Sequence, residues 1–532
     1  MTLPEDWTLA AQAAAHAMRR GDHIAVHCQE RSPTYAELHR CSNRTAQALR
    51  SAGVGSGTRV AYLARESEYY YSTFLACAKI GAVLVPVNWR LTSREVDHIL
   101  RDSGAELVFV EREFHPVLDR VRTALPALRH IVMMDDGNSD DPGAGLRAWR
   151  SQASEATPEH RCGPHDAVLQ IYTSGTTGNP KGVVLAHRSF FTLPAAMRDA
   201  GVDWLDWRPE DVNLISLPGL VIAGMGWFMH GFNAGATNVV MRMYLPQDAV
   251  RLIVRHRVTT TFAAPAMLAM MLDERGVGPH TFTSMRKVAY GAAPISTGLL
   301  QRCLEIFDCE FAQIYASTET GSVAVCLPPS DHVPGSPLLK TAGRACPGTE
   351  VKIVDRAGSR VPPGQIGEVC VRTPARMLGY WNMPDATART LVGDWLHMGD
   401  AGYLDENGYL FLGDRINDTI IVAGQNIYPA EIEKELGDHP AVADVAVVGA
   451  AHSRWGEAVH ACLVLRPGTC VTPRQLAVFL QGRIADYKIP VEYHFVTELP
   501  RNPSGKLLRR VVRERLAEQI RPAAAAAVAN GD

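Results

Sequence analysis

Between His23 and Val87 the chain alternates short apolar runs with longer mixed ones: His23 to His27, Tyr35 to Ser51, Arg59 to Leu63, Tyr69 to Ile80 and Val83 to Val87. Antiparallel neighbours can be joined by a tight turn, whereas parallel strands need a crossover long enough to hold a helix. The alternation therefore predicts parallel sheet with crossover helices. The segment Tyr35 to Ser51 carries its own start signal. Thr34 and Glu37 have the spacing of a capping box, and Leu38, Cys41, Ala48 and Leu49 fall on one face for burial, with Thr45 the only polar residue among them. A second strand-and-helix series runs from Val168 to about residue 325. From Gly343 to Gly413 the pattern changes to Gly, Pro and short alternating runs such as Glu350 to Val354 and Glu368 to Val371, which predict antiparallel strands in a smaller β unit. From Asn417 onward strand and helix signals mix, with helices opened by Pro429 and by Thr472-Pro473.

A chain of 532 residues exceeds one ordinary core. The expected organisation is α/β: an N-terminal domain over 1–416, made of αβ subdomains 1–165 and 166–330 and a β subdomain 331–416, then a small α+β domain over 417–520. A disordered tail is expected over 521–532, where Pro522 to Asp532 has no core-forming pattern.

Within the second series lies the run Tyr172-Thr173-Ser174-Gly175-Thr176-Thr177-Gly178-Asn179-Pro180-Lys181-Gly182. Its hydroxyls and unhindered N–H groups can converge on an anion, and a lysine adds a point charge. It is not the common nucleotide P-loop, because Asn179-Pro180 separates Gly178 from Lys181. The apolar runs Ala167 to Ile171 and Val183 to Ala186 on either side mark it as a placed loop and not a linker.

A formal net charge of −3 supplies no basic field for nucleic acid. The eleven cysteines form no Cys-x-x-Cys pair, and Met1 to Leu9 carries Glu5 and Asp6 with no apolar core, so a reducing, cytoplasmic setting is expected. Val212 to Met241 holds no charged residue, but Pro218, five glycines, His230, Asn233 and Asn238 interrupt it. A lipid-spanning helix must be continuous, so the stretch is expected to form a buried hairpin or a pocket wall.

Six motifs stand in order along the chain: Tyr172 to Gly182, Tyr290-Gly291-Ala292-Ala293-Pro294, Gln313-Ile314-Tyr315-Ala316-Ser317-Thr318-Glu319, His397-Met398-Gly399-Asp400, Gly413-Asp414-Arg415 and Pro503-Ser504-Gly505-Lys506. Together they resemble the adenylate-forming (ANL) superfamily, of the acyl-CoA synthetase or fatty-acid–CoA ligase type. The resemblance implies a ligase that joins a carboxylic acid to ATP with Mg²⁺, releases pyrophosphate, and lets the thiol of coenzyme A displace AMP. It also implies that the small C-terminal domain is mobile and rotates between the two steps.

Site roles follow from the resemblance. Thr173, Ser174, Gly175, Thr176, Thr177 and Lys181 would hold the β- and γ-phosphates. Glu319, beside Thr318, would hold Mg²⁺, because a carboxylate is a hard oxygen ligand. Gly291, Ala292, Ala293, Pro294, Gln313, Ile314, Tyr315, Ala316 and Leu412 would surround the adenylate, with Tyr315 offering a face for adenine. Asp400 and Arg415 would grip the ribose. Lys506 would reach the carboxylate and the α-phosphate. Asn417 takes the hinge position, where the family usually has Asp or Lys. Ala423-Gly424-Gln425-Asn426 would meet the pantetheine arm of coenzyme A.

The acyl pocket would include Val221, Ala223, Gly224, Met225, Trp227, Ala264 and Ser317. No Lys, Arg, Asp or Glu appears among them, which disfavours a second charge on the acid, since an unpaired buried charge is costly. An apolar acid of medium or long chain, or a bulky ring system, is expected. An acyl carrier protein is the rival acceptor. Gly219-Leu220-Val221 replaces the family's aromatic-His pair, and Ala316 its usual glycine, so an enzyme of the thioester half-reaction alone is a third reading, against which Lys506 argues. A non-catalytic scaffold would be expected to lack Lys506 or Glu319. The chain is expected to act as a monomer or homodimer.

Overall fold

The computed structural model describes residues 3–135, 143–173, 180–293, 295–415, 418, 420–422, 425–427, 429–452, 456–484, 486–501 and 507–518. The chain forms two compact units, one of Met1–Val351 with Cys370–His397 and one of Lys352–Val369 with Met398–Asp532. The dividing lines fall inside the strands Glu350–Val354, Gly367–Arg372 and Trp395–Leu404.

Two sheets build the first unit. One has seven strands in the order Gly379–Tyr380, Lys181–Ala186, Ala167–Thr173, Val83–Pro86, Arg59–Leu63, Leu107–Val110 and His130–Met133. From Ala167–Thr173 to His130–Met133 the neighbours run parallel, and the two outer additions, Lys181–Ala186 and Gly379–Tyr380, are antiparallel. The other sheet has eight strands, in the order Val26–His27, Thr237–Val240, Val212–Ile215, Thr260–Ala263, Lys287–Gly291, Glu310–Tyr315, Val325–Leu327 and Arg344–Ala345. Its first six strands are parallel. Sheets with both faces covered read as continuous apolar runs, and accordingly Val83–Pro86, Leu107–Val110, Thr260–Ala263 and Lys287–Gly291 are buried at every position.

The helix Tyr35–Ser51 starts at the capping box read from Thr34 and Glu37, with both reciprocal hydrogen bonds made. Ser42 and Asn43 are buried in it beside Thr45, because the buried Lys79 ammonium needs their oxygens, at 2.6 and 2.7 Å. The first apolar run is strand only at Val26–His27; Ala25 instead donates its N–H to the Pro33 carbonyl, in a local turn-back.

Val212 to Met241 is not a hairpin. It is a strand, a helix and a second strand, Val212–Ile215, Ile222–Ala234 and Thr237–Val240, with the two strands parallel. One of the glycines that read as breakers, Gly224, sits in the helix for lack of room: a Cβ there would lie 2.3 Å from the carbonyl oxygens of both Leu217 and Pro218. Close approach of backbones outweighs propensity there. Among the described residues no helix is long and apolar enough to cross a membrane.

In the second unit, Leu410–Arg415 pairs antiparallel with the Asp400 to Leu404 part of its neighbour. A further sheet runs Gln425–Ile427, Ile420–Val422, Gly456–Leu465 and Val442–His452, and Glu492–Phe495 lies parallel to Gly456–Leu465. Side chains alternate across a strand, so this sheet has two cores. Val459, Ala461 and Leu463 pack with Ile432, Leu436, Leu476 and Leu480 of the helices Pro429–Gly437 and Pro473–Leu480. Cys462 on the opposite face packs with Leu499, Val512 and Leu516.

Candidate active site

Thr173 and Lys181 are register partners, the last pair of the antiparallel strands that flank the glycine-rich run. They are strand residues; Ser174, Gly175, Thr176 and Thr177 lie outside the described residues. The edge strand Gly379–Tyr380 pairs with Val183 and Val184 and brings the Tyr380 ring under Lys181, whose Nζ stands 5.0 Å from the ring centroid. The same phenol donates to Glu319 Oε1 at 2.7 Å, and the Glu319 carbonyl accepts from Met377 N–H at 2.9 Å. One tyrosine thus bridges the lysine that ends the phosphate-loop candidate and the carboxylate assigned to the metal. Nothing in local spacing marks Tyr380, because its partners arise from sheet pairing.

The remaining first-unit candidates lie where parallel strands end. Gly291 to Ala293 follow Lys287–Gly291, the Tyr315 to Glu319 turn follows Glu310–Tyr315, Ala264 follows Thr260–Ala263, and Leu217 to Val221 follow Val212–Ile215. In open α/β sheets the carboxyl ends of the strands form the ligand-binding edge, so these adjacent strands present their loops to one side. Gly291 has no room for a side chain, since a Cβ would meet the Ile314 carbonyl at 2.3 Å, and Ala292 takes a left-handed φ of 66°. Pro294 lies outside the described residues. Tyr290 is buried, with its hydroxyl 3.1 Å from both Gln313 Oε1 and His332 Nε2. His332 Nδ1 donates to the Pro328 carbonyl at 2.9 Å, and burial lowers the imidazole to about 4. The ring is therefore neutral with Nε2 as acceptor, so the one Tyr290 proton faces two acceptors, Gln313 Oε1 and His332 Nε2.

Beyond Tyr315 the turn is locked by Thr320, whose hydroxyl accepts from Ser317 N–H at 3.1 Å and lies 2.8 and 2.7 Å from the carbonyls of Ser317 and Ser322. Ala316 is exposed on this turn, and Ser317, Thr318 and Glu319 are half-buried.

The acyl candidates gather on the helix Ile222–Ala234. Val221 caps it, Ala223 is half-buried, and Gly224, Met225 and Trp227 are buried, as is Ala264. The Trp227 ring lies 5.3 Å from Trp207 and 5.8 Å from Phe262, and Trp207 lies 4.5 Å from His230. Desolvation holds His230 down to about 3; its Nε2 is 3.3 Å from Ser322 Oγ, while its Nδ1 and the indole N–H groups of Trp207 and Trp227 have no hydrogen-bond partner among the described residues.

The loop before this helix is clamped by groups that sequence reasoning missed. Gly219 N–H donates to Glu66 Oε2 at 2.9 Å, Tyr70 O–H donates to the Gly219 carbonyl at 2.7 Å, and Tyr71 O–H donates to Glu66 Oε1. Burial pushes the Glu66 carboxyl up to about 8, against the two hydrogen bonds that favour its charge.

In the second unit Asp400 and Arg415 are direct register partners, with a bulge between Asp400 and Gly402. Gly399 N–H donates to Glu368 Oε1 at 3.3 Å, and Leu412 is exposed on the paired strand. Gln425 and Asn426 belong to the strand paired with Ile420–Val422. Gly424, Asn417 and Lys506 lie outside the described residues.

The profile of the AMP-binding enzyme family matches residues 13–381, and that of the AMP-binding enzyme C-terminal domain matches 431–506. The chain is 52% identical to a fatty acid–[acyl-carrier-protein] ligase, ScoC, of Streptomyces coeruleorubidus, over 96% of this chain and 97% of that one. It is 34% identical to an indoleacetate–CoA ligase of Aromatoleum aromaticum, over 95% and 97% of the two chains. Among solved structures it resembles the anthranilate CoA ligase AuaEII in complex with anthranoyl-AMP, with a TM-score of 0.88, 27% identity, and coverage of 98% of this chain and 99% of that one.

Proposed function

The chain belongs to the AMP-binding enzyme family of adenylate-forming acid–thiol ligases, and from that premise we propose that it activates an apolar carboxylic acid with ATP and passes the acyl group to the pantetheine thiol of coenzyme A. The observation that carries this reading is the bridge of Tyr380 between Lys181 and Glu319.

Adenylation brings one anion onto another, so the work of the protein is to neutralise charge and fix an in-line approach at the α-phosphorus. Thr173 and Lys181 hold the two ends of the loop assigned to the β- and γ-phosphates. A half-buried carboxylate with one oxygen turned by a phenol suits Mg²⁺, a hard cation that shares its shell between few carboxylates and phosphate oxygens; bound at Glu319, it would neutralise phosphate charge. The acid's carboxylate oxygen attacks the α-phosphorus and pyrophosphate leaves. Lys506 holds the carboxylate and α-phosphate through that step, and Asp400 with Arg415 grips the ribose. In the second step the thiolate sulfur attacks the acyl carbonyl and AMP leaves, with Gly424 to Asn426 assigned to the pantetheine arm and Asn417 to the hinge.

The acyl group lies along Val221 to Trp227, with Ala264 and Ser317. The buried Met225, Trp227 and Ala264 favour an apolar chain or ring, in keeping with relatives named for a fatty acid and for indoleacetate. Eleven cysteines, none of them in a disulfide, fit a cytoplasmic setting.

A carrier-protein acceptor is the second reading, favoured by the 52% identity to an acyl-carrier-protein ligase. Both acceptors present the same thiol, so one experiment separates them: thioester formation from ATP, Mg²⁺ and a panel of acids, with free coenzyme A or with a phosphopantetheinylated carrier protein. Faster thioester formation on coenzyme A supports the first reading. Transfer confined to the carrier supports the second, and pyrophosphate release without either thioester contradicts both.

A further inference from the structure

The C-terminal sheet carries a group of side chains that adenylation and thioester formation do not use. His460 lies directly opposite Glu492 in the parallel pairing of Gly456–Leu465 with Glu492–Phe495, and Cys462 lies opposite His494. Side chains two residues apart share a face, so His460, Glu492 and His494 project from the same side of the sheet. It is the side on which Cys462 and Val496 pack with Leu499, Val512 and Leu516.

Three ligand-type atoms converge at the margin of that core. His460 Nδ1 lies 3.1 Å from His494 Nε2 and 3.7 Å from Glu492 Oε2, and His494 Nε2 lies 3.5 Å from the same Oε2. Tetrahedral zinc with bonds of about 2.0–2.1 Å needs ligand atoms about 3.3–3.4 Å apart, and an ion about 0.6 Å above this triangle stands about 2.1 Å from all three. The two imidazole planes are within 6° of parallel. His460 is buried, His494 is partly covered and Glu492 is open to water, so a fourth position faces solvent.

We propose that His460, Glu492 and His494 form a site for one first-row divalent transition ion, zinc by the chemistry of two imidazoles and one carboxylate. Magnesium, which prefers oxygen ligands, is not its occupant. The ion ties the edge strand Glu492–Phe495 to Gly456–Leu465 and stabilises the sheet from which the chain continues toward Lys506. Its residues are separate from the carboxylate assigned to the ATP-bound metal.

The test is equilibrium dialysis of the full chain, free of any added histidine tag and without ATP, against zinc, with metal and protein measured together. One zinc per chain is expected, with a rise in melting midpoint. Glu492→Gln and His494→Asn are each expected to weaken zinc binding at least tenfold and to remove the rise, and cobalt substitution is expected to give the intense visible bands of a tetrahedral site. Equal zinc retention by the parent chain and both variants would overturn the proposal by placing the zinc on other residues. So would no retained zinc, which reduces the cluster to a hydrogen-bonded histidine pair.

Discussion

The Tyr380 phenol donates to Glu319 Oε1 at 2.7 Å while its ring underlies Lys181 at 5.0 Å, so one side chain orients both the carboxylate assigned to the metal and the cation assigned to phosphate. A hydrogen bond to a charged group contributes about 1.5–3 kcal/mol. Tyr380→Phe keeps the ring under Lys181 and removes the bond. We expect adenylation to fall about tenfold or more in kcat/KM, with a raised Mg²⁺ requirement and little change in melting midpoint. Measuring acid-dependent pyrophosphate release across a Mg²⁺ titration checks this, and an unchanged titration would separate Tyr380 from the metal's carboxylate.

Lys506 is assigned to the first half-reaction alone. Loss of one preorganised charge-stabilising group costs on the order of 10² to 10³ in rate. Lys506→Ala is expected to lose adenylation to that degree and still convert supplied acyl-adenylate to thioester. Equal losses in both half-reactions would remove the assigned role.

Glu66 makes stability depend on pH. Its carboxyl titrates near 4.5 in the unfolded chain and near 8 in the folded one. Between those values the native state holds a proton that the unfolded state has released, so stability falls as pH rises through the window, by at most about 1.4 kcal/mol per pH unit. Glu66→Gln removes the titration. Denaturant midpoints recorded between about pH 5 and pH 8 should fall in the parent chain and flatten in the variant. Parallel curves would show that Glu66 stays ionised beside Tyr71 and Gly219.

Trp227 is buried on the helix assigned to the acyl group, in contact with Trp207 and Phe262. Truncating it to Ala is expected to shift preference toward longer or bulkier acids and to cost about 3–5 kcal/mol of stability through the cavity left behind. Competition between acids of graded length, followed by thioester mass, reads the shift. Malonate and α-amino acids should be poor substrates of both forms, because the pocket candidates offer no countercharge.

The parts legible in the sequence were those fixed by local rules. Thr34 and Glu37 set the start of the helix Tyr35–Ser51, alternation gave the strands Arg59–Leu63 and Glu350–Val354, and the flanks of the glycine-rich run did become the paired strands that end at Thr173 and Lys181. Val212 to Met241 misled because propensity counts glycines as breakers, while Gly224 is there to let the helix lie against the Leu217 and Pro218 carbonyls. Tyr380 and Glu66 were invisible for a related reason. Tyr380 is 61 residues from Glu319 and Glu66 is 153 from Gly219, and only sheet pairing and loop packing bring those partners together.

The most direct measurement is isotope exchange between pyrophosphate and ATP, run with no thiol present, on the parent chain and on Glu319→Gln. Exchange that requires both Mg²⁺ and an apolar acid, and that collapses in the variant while nucleotide still binds, is the predicted result. Exchange that proceeds equally in Glu319→Gln, or none with any apolar acid despite bound ATP, would contradict the account.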